Sequence, residues 1–201
     1  MILHWNNKAK AVIHDAASSA LGKMLVRMCK DYEIVLINIV RRQEQVDILF
    51  EEGAEIVLNS SDELFEEELK NAINIHKPKW FFDAIGGEFS SKVLSLMPNF
   101  STMYVYGNLS GEPIQYNPRN LIFKGHNISN FFICNWIQNL TSEEKEKWFG
   151  SIVDDINSGG AIFGSKILKS FPISEYLEAM KYSKEHASEG KVILKPQQYY
   201  T

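Results

Sequence analysis

The sequence has few of the residues that build disulfides or metal centres. It contains two cysteines in 201 residues, Cys29 and Cys134, and neither belongs to a CxxC pair. The five histidines are scattered along the chain, whereas a structural zinc site needs about four ligands at close spacing. We therefore expect no metal site, and we interpret the histidines as ordinary core or surface residues.

Long apolar runs and an excess of positive charge are also missing. No stretch approaches the roughly 18 apolar residues of a membrane span, and the N-terminus lacks the charged and apolar regions of a secretory signal. The net charge is −4 and the sequence pI is about 5.8, which argues against a broad basic surface for nucleic acid. We expect a protein of a reducing compartment, without a membrane span or a nucleic-acid partner.

Several motifs of self-contained enzymes are absent as well. No G-x-x-x-x-G-K-[ST] sequence occurs, which excludes a P-loop nucleoside triphosphatase, and residues 107–111 do not match the G-x-S-x-G elbow of α/β-hydrolases. None of the eight tyrosines is followed by lysine four positions later, as it is in short-chain dehydrogenases. The sequence therefore predicts no catalytic residue.

What the sequence does contain is an alternation of short apolar runs and helical periods. Hydrophobic residues make up 45% of the chain, enough for a sizeable core. Buried strands are predicted at 9–15, 34–40, 56–58, 80–83 and 103–106. Helices are predicted between them at 21–28, 43–52, 61–76 and 90–96, the third capped by Ser61 or Asp62. This rhythm predicts an α/β fold, a Rossmann-type doubly wound parallel sheet with helices on both faces.

The pattern loosens after Gly111. We expect a loop at 113–118, a late strand at 128–133 and a helix over 141–156 that starts with a Thr141–Glu144 capping box. A final helix over 173–186 and a terminal strand over 191–194 complete the chain. Because no repeat or linker interrupts it, we predict a single domain over 1–201 with its core at about 10–196.

The turn between the first strand and the first helix contains a degenerate dinucleotide fingerprint. The usual G-x-G-x-x-G sequence lets the backbone and the helix N-terminus approach a diphosphate. Here residues 17–22 read Ala-Ser-Ser-Ala-Leu-Gly, so glycine remains only at Gly22, where helix and strand pack closely. Two interpretations stay open: a phosphate cradle over 18–22, or Ser18 and Ser19 acting merely as helix caps.

The end of the second strand lacks the acidic residue that binds the ribose hydroxyls in NAD sites. The strand is followed by Arg41 and Arg42, and the first acid after it is Glu44. Guanidinium groups bind a 2′-phosphate through charge-assisted hydrogen bonds, so the pair favours NADP(H). The alternative is that both arginines are solvated and pair with Glu44 or its neighbours.

Taken in order, these segments resemble the medium-chain dehydrogenase/reductase family, in particular its quinone-oxidoreductase and mitochondrial 2-enoyl thioester reductase branch. The resemblance covers about residues 10–196. Its matching segments are 12–22, 37–42, 53–59, 82–87, 106–111 and 190–194. It implies the C-terminal Rossmann domain of an NADPH-dependent oxidoreductase for quinones, enones or enoyl thioesters, in the mitochondrion or the cytoplasm.

The resemblance also implies roles for individual residues. The amides of Ser18, Ser19, Ala20, Leu21 and Gly22 would hold the diphosphate of NADP(H), and Arg41 and Arg42 would contact its 2′-phosphate. The other implied cofactor-binding residues are Tyr106, Gly107, Asn108 and Leu109 beside the nicotinamide, Phe131, Phe132 and Ile133 on the late strand at the carboxamide, and Lys191 near the cofactor. The alternatives are simple core packing for the two phenylalanines and solvent exposure for Lys191.

Members of this family also carry an N-terminal GroES-like barrel. That barrel supplies one wall of the cleft, the tyrosine proton donor of the enoyl reductases and the metal ligands of the zinc-dependent members. Because Met1 falls just before the first strand, we expect the chain to lack the barrel. Hydride transfer needs a shaped site that excludes water, so we expect NADPH binding without activity of the chain alone.

A second hypothesis from another class stays open. The domain could be a non-catalytic structural or accessory subunit of a larger assembly. The late strand near 128–133 is the surface expected to pair with a second copy or another protein, because the family often forms dimers there. This strand could form such an interface under either hypothesis.

Overall fold

The computed structural model describes residues 10–196, and its main feature is a six-stranded parallel sheet. Its strands are β1 (Ala11–His14), β2 (Val35–Val40), β3 (Ile56–Asn59), β4 (Trp80–Asp83), β5 (Thr102–Val105) and β6 (Asn127–Asn130). Their order is β3-β2-β1-β4-β5-β6. The chain builds outward from β1 to β3 and then returns to add β4, β5 and β6 on the other side. The prediction of a Rossmann-type doubly wound sheet is confirmed.

Helices connect the strands and cover both faces of the sheet. They are α1 (Ala20–Asp31), α2 (Gln43–Glu51), α3 (Phe65–His76), α4 (Gly87–Leu96) and α5 (Pro118–Lys124). One apolar cluster joins α3 and α4 to Phe81, and the other joins α1 and α2 to Phe82. Successive residues of a strand point to opposite faces, so these neighbouring phenylalanines serve different clusters.

The C-terminal part adds a smaller unit beside the sheet. It comprises α6 (Ile133–Gln138), α7 (Ser142–Asn157), β7 (Ile167–Pro172), a 3-10 turn (Ile173–Glu175), α8 (Tyr176–Glu185) and β8 (Lys191–Lys195). β7 and β8 form a two-stranded parallel sheet. Arg27 of α1 ties this unit to the larger sheet, because its Nη1 donates to the carbonyls of Ile162 and Gly164 at 2.9 Å each.

The capping box predicted for α7 is confirmed. Thr141 Oγ1 accepts from the Glu144 amide at 3.2 Å, and the Glu144 carboxylate accepts from the Thr141 amide at 2.9 Å. The start predicted for α3 is wrong, because the helix begins at Phe65 after Leu64. Asp62 instead closes a turn, accepting from the Leu64 amide at 2.9 Å.

The late strand is shorter than predicted and ends at Asn130. The Phe131 amide still donates to the Val105 carbonyl at 2.9 Å, but β5 ends at Val105 and offers no further partner. Phe132 and Ile133 therefore leave the sheet, and Ile133 begins α6. The placement of Phe131, Phe132 and Ile133 on a strand is wrong for this reason. At the other end of the sheet, Ala9 of the first predicted strand lies outside the described residues.

Candidate functional site

A cleft opens at the carboxyl ends of the strands, where the strand order reverses between β1 and β4. Its volume is about 530 Å³, which lies in the range of small-molecule sites. The residues that line it include Ala16, Ser18, Ser19, Arg41, Gln45, Ser60, Ile85, Leu109, Ser110 and Ser188. Doubly wound sheets bind their ligands at this switch point, which makes the cleft the candidate site.

The loop between β1 and α1 is fixed from two sides. The Ala17 amide donates to the Ile39 carbonyl and the Asp15 amide donates to the Phe82 carbonyl, both at 3.3 Å. Ala16 turns the chain with a φ of 47°, a value that is uncommon for a residue with a side chain. The sharp turn that the fingerprint usually assigns to glycine is therefore made here by an alanine.

Gly22 allows α1 to start directly against this loop. A Cβ at this position would lie 1.9 Å from the Ala17 carbonyl oxygen and 2.5 Å from its carbonyl carbon. Neither backbone atom can be displaced as a flexible side chain could. Gly22 therefore permits close packing of α1, but against the loop that follows β1 and not against the predicted strand itself.

The first turn of α1 offers amides to the cleft. Ser19 Oγ accepts from the Gly22 amide at 3.1 Å, so the cap interpretation holds for Ser19. A cap satisfies only part of the four amides that a helix leaves without intrahelical acceptors. Among the described residues, no hydrogen bond takes up the amides of Ser18, Ala20 or Leu21. Free amides at a helix N-terminus are suited to bind an anion, so capping and phosphate binding are compatible in this loop.

Arg41 and Arg42 differ in their surroundings. Arg42 Nε lies 4.0 Å from Glu44 Oε2, and both side chains are exposed. Arg41 lines the cleft and makes no ion pair within residues 10–196. The backbone of both is fixed, because Gln45 Oε1 accepts from the Arg41 amide at 3.1 Å and from the Arg42 amide at 3.2 Å. The pairing alternative thus applies loosely to Arg42, and Arg41 has no such partner among the described residues.

The loop after β5 has one side chain in the interior, Tyr106, and another, Leu109, at the cleft. The Tyr106 hydroxyl lies 2.6 Å from His14 Nε2 and the two rings stack at 6.0 Å, so this side chain points into the interior. Gly107 lies against the loop after β4, where a Cβ would be 2.9 Å from a carbonyl oxygen. Asn108 is exposed, and Leu109 lines the cleft with 74% of its surface exposed.

The remaining predicted residues lie away from the cleft lining. Phe131 packs on Trp136 with ring centroids 6.4 Å apart, and Phe132 and Ile133 are exposed. Lys191 begins β8 and borders a small separate pocket that also includes Ser18. Ser18 and Ser188 line both this pocket and the cleft.

Gln45 and Ser188 are among the cleft-lining residues that sequence reasoning missed. Ser188, in the turn before β8, is buried. Its Oγ accepts from Gln45 Nε2 at 2.9 Å and lies 3.2 Å from Ser18 Oγ. No local pattern could have indicated this contact, because Ser18 and Ser188 are 170 positions apart.

A pair of carboxyl groups, Asp15 and Asp83, lies fully buried beneath the cleft. Asp15 Oδ1 accepts from the Ala84 amide at 2.7 Å. Asp83 Oδ1 accepts from Ser90 Oγ at 2.6 Å and from the amides at 85–86 at 3.1 and 3.0 Å. Burial, together with the hydrogen bond to Asp83, raises the pKa of Asp15 well above its ordinary value. The loop after β4 is held by the amides of residues 84–86, which donate to these two carboxyls, and the raised pKa favours a protonated Asp15.

Burial also keeps the neighbouring side chains uncharged. It lowers the pKa of His14 to about 3 and raises the pKa of Tyr106. None of these four residues is among those that line the cleft. They support its walls and do not offer an acid or a base to a bound molecule.

The sheet order, the loop before α1 and the cleft at the switch point define a dinucleotide-binding protein of the Rossmann type. The chain belongs to the zinc-binding dehydrogenase family, whose pattern it matches over residues 20–148. The resemblance predicted from the sequence is confirmed.

The matched relatives are about twice as long as this chain. The mitochondrial enoyl-[acyl-carrier-protein] reductase of Dictyostelium discoideum is 24% identical over 187 residues, which cover 91% of this chain and 53% of that protein. The corresponding human protein is 24% identical over 189 residues, covering 92% and 50%. The chain spans about half the length of the curated relatives it matches.

Solved structures are also similar to this chain over about half of their own length. A candidate NADPH:quinone reductase from Mesorhizobium loti superimposes with a TM-score of 0.81 at 25% identity, over 97% of this chain and 56% of that one. The complex of Etr1p with NADP and crotonyl-CoA superimposes with a TM-score of 0.74 at 19% identity, over 93% and 54%. At 19% identity, the similarity to Etr1p shows a shared fold only.

The family's name refers to zinc, but the described residues do not fit a zinc site. Between residues 10 and 196, no group of three or more His, Cys, Asp or Glu side chains is arranged to hold a metal ion. Cys29 is buried and Cys134 is exposed. No helix in this part of the chain is long and apolar enough to cross a membrane.

Proposed function

We propose that the chain is the NADP(H)-binding part of a medium-chain reductase that acts on quinone, enone or enoyl-thioester substrates. The observation that carries the proposal is Arg41, which lines the cleft without an ion-pair partner among the described residues. The relatives support it, since their names are those of enoyl reductases and an NADPH:quinone reductase. We extend the proposal to one domain over about 10–196 and, from those names, to the mitochondrion.

The residues of the cleft fit the parts of NADP(H) in order. The free amides of Ser18, Ala20 and Leu21 suit the diphosphate, because they sit at the N-terminus of α1. Arg41, supported by Arg42, suits the 2′-phosphate, since guanidinium forms charge-assisted hydrogen bonds with phosphate oxygens. The backbone of Gly107 and Leu109 leads toward the nicotinamide end. NADPH supplies a hydride when it is bound, and the residues of this chain bind and orient it.

Replacing Arg41 with aspartate should remove the preference for NADPH. We expect NADPH affinity to fall at least about tenfold while NADH affinity changes little, because the lost contact is a hydrogen bond to a charged group. Isothermal titration with both nucleotides measures this, and Arg119→Asp on α5 is the control. Equal wild-type affinities for NADPH and NADH would contradict the 2′-phosphate assignment.

A non-catalytic accessory subunit is the second candidate, and the exposed edge of the sheet favours it. β6 is the outermost strand, and the apolar side chains of Ile122, Phe123 and Phe132 near it are exposed. Edge strands with apolar surroundings tend to pair with another chain. We propose that this edge pairs with a second copy, which a monomer in sedimentation equilibrium would contradict. A wild-type chain that binds neither nucleotide would favour the accessory role.

A further inference from the structure

A chain of hydrogen bonds joins the backbone at Arg41 to the loop before α1. Gln45 Oε1 accepts from the amides of Arg41 and Arg42, and Gln45 Nε2 donates to Ser188 Oγ at 2.9 Å. Ser188 Oγ then lies 3.2 Å from Ser18 Oγ. Gln45, Ser188 and Ser18 all line the cleft, so the chain of hydrogen bonds runs along its wall.

The direction of this chain follows from the donors at its start. Backbone amides only donate, so the Gln45 atom that meets two of them must be the oxygen, and the amide nitrogen must face Ser188. Ser188 Oγ therefore accepts from Gln45. Its own proton is free to point to Ser18, and a head-to-tail arrangement strengthens each bond in the same sense. In this head-to-tail arrangement Ser18 Oγ accepts, which leaves the Ser18 proton available to a ligand in the cleft that Ser18 lines.

We propose that Gln45 and Ser188 are positioning residues that aim the Ser18 hydroxyl as a donor at the diphosphate of the bound nucleotide. The inference rests on the proposed function and deepens it. Ser188, the buried residue of the turn before β8, thereby takes part in diphosphate recognition, although it lies far along the chain from the loop before α1. Since NADPH and NADH share the diphosphate, the two nucleotides depend on the relay equally. A ligand without a diphosphate does not depend on it.

Ser188→Ala is the first test, with NADPH, NADH and adenosine 2′-monophosphate as ligands. The variant should bind both dinucleotides about three- to tenfold more weakly, as expected for a weakened hydrogen bond to a charged group. Binding of adenosine 2′-monophosphate, which has no diphosphate, should stay unchanged. Ser174→Ala is the control, because Ser174 is exposed in the 3-10 turn before α8. Unchanged dinucleotide affinity, or an equal loss for all three ligands, would overturn the relay.

A double-mutant cycle separates the relay from a loss of structure. Because Ser188 acts through Ser18, the Ser18→Ala/Ser188→Ala double variant should bind NADH no more weakly than Ser18→Ala alone. Additive losses would overturn the proposal. Gln45→Glu keeps the acceptor for the two arginine amides but cannot donate to Ser188, so it should weaken NADH binding as Ser188→Ala does.

The failures of the two proposals can be told apart. A wild-type chain that binds none of the three ligands overturns the proposed function and the relay together. A wild-type chain that binds all three, with Ser188→Ala and Gln45→Glu indistinguishable from it toward NADH, overturns the relay alone. Thermal unfolding of each variant checks that the proteins whose affinities are compared are folded.

Discussion

Gly22→Ala should be among the most damaging single substitutions in this chain, with an expected loss of about 3 kcal/mol in the free energy of unfolding. The added Cβ would lie 1.9 Å from the Ala17 carbonyl oxygen, so either α1 or the loop before it must move. Both movements displace the Ser19 cap and the free amides of Ser18, Ala20 and Leu21. We therefore expect NADPH binding to be lost even in molecules that still fold.

Urea unfolding and NADPH titration measure both effects, and Gly150→Ala provides a matched control. Gly150 lies inside α7, and a Cβ there would meet no atom within 4 Å. Alanine at that position should stabilise the chain by up to about 1 kcal/mol, because it favours helix over the unfolded chain. If Gly22→Ala unfolds at the same urea concentration as Gly150→Ala, the close contact with Ala17 is not as tight as the structure shows.

Asp15→Asn should make the chain more stable than the wild type, and the gain should grow as the pH rises. The folded wild type keeps a proton on Asp15, because burial and Asp83 raise the pKa of this carboxyl well above its ordinary value. The unfolded chain releases that proton above about pH 3.9. Raising the pH therefore favours the unfolded wild type until the folded pKa is reached. Asparagine has no proton to release, and its amide can still donate to Asp83 and accept from Ala84.

The free energy of unfolding gained by Asp15→Asn should be about 1.4 kcal/mol for each pH unit between the pKa of Asp15 in the unfolded chain and its pKa in the folded chain. His14 has the opposite dependence, since burial lowers its pKa to about 3 and the unfolded chain takes up a proton below about pH 6.5. That contribution cancels in the difference between variant and wild type.

Urea unfolding of both proteins from pH 4.5 to 8 measures the difference, and Asp154→Asn on the exposed face of α7 is the control. A pH-independent difference would show that Asp15 does not hold the proton. Asp15→Leu should be strongly destabilising instead, because it leaves the buried Ala84 amide without an acceptor.

The parts of the fold that the sequence predicted are those with strong local signals. β2 and β4 are continuous apolar runs buried in the sheet, and Gly53 and Gly107 mark the ends of regular segments. β7 was missed because it is mostly exposed, and α5 and α6 because they are short and have no buried residue to set a period. The late strand was extended past Asn130 because an apolar run looks the same whether or not a neighbouring strand continues beside it.

Sequence reasoning found the cleft residues that follow directly after a recognisable strand or loop motif. It missed those that reach the cleft from a distant part of the sequence. Arg41 stands directly after a recognisable strand, so its place at the cleft follows from topology. Ser188 reaches the same cleft only because the C-terminal unit packs beside α1, which no local pattern reveals. The positive φ of Ala16 carried no signal either, since alanine is a helix former by preference.

The most direct test of the account is a titration of the isotope-labelled wild-type chain with NADPH, followed through its backbone amide resonances. The largest shifts should fall on the amides of Ser18, Ala20 and Leu21, with a second group at Arg41 and Arg42 that NADH does not reproduce. Shifts confined to the edge at β6, or no shifts at saturating NADPH, would contradict the claim that this cleft holds NADP(H).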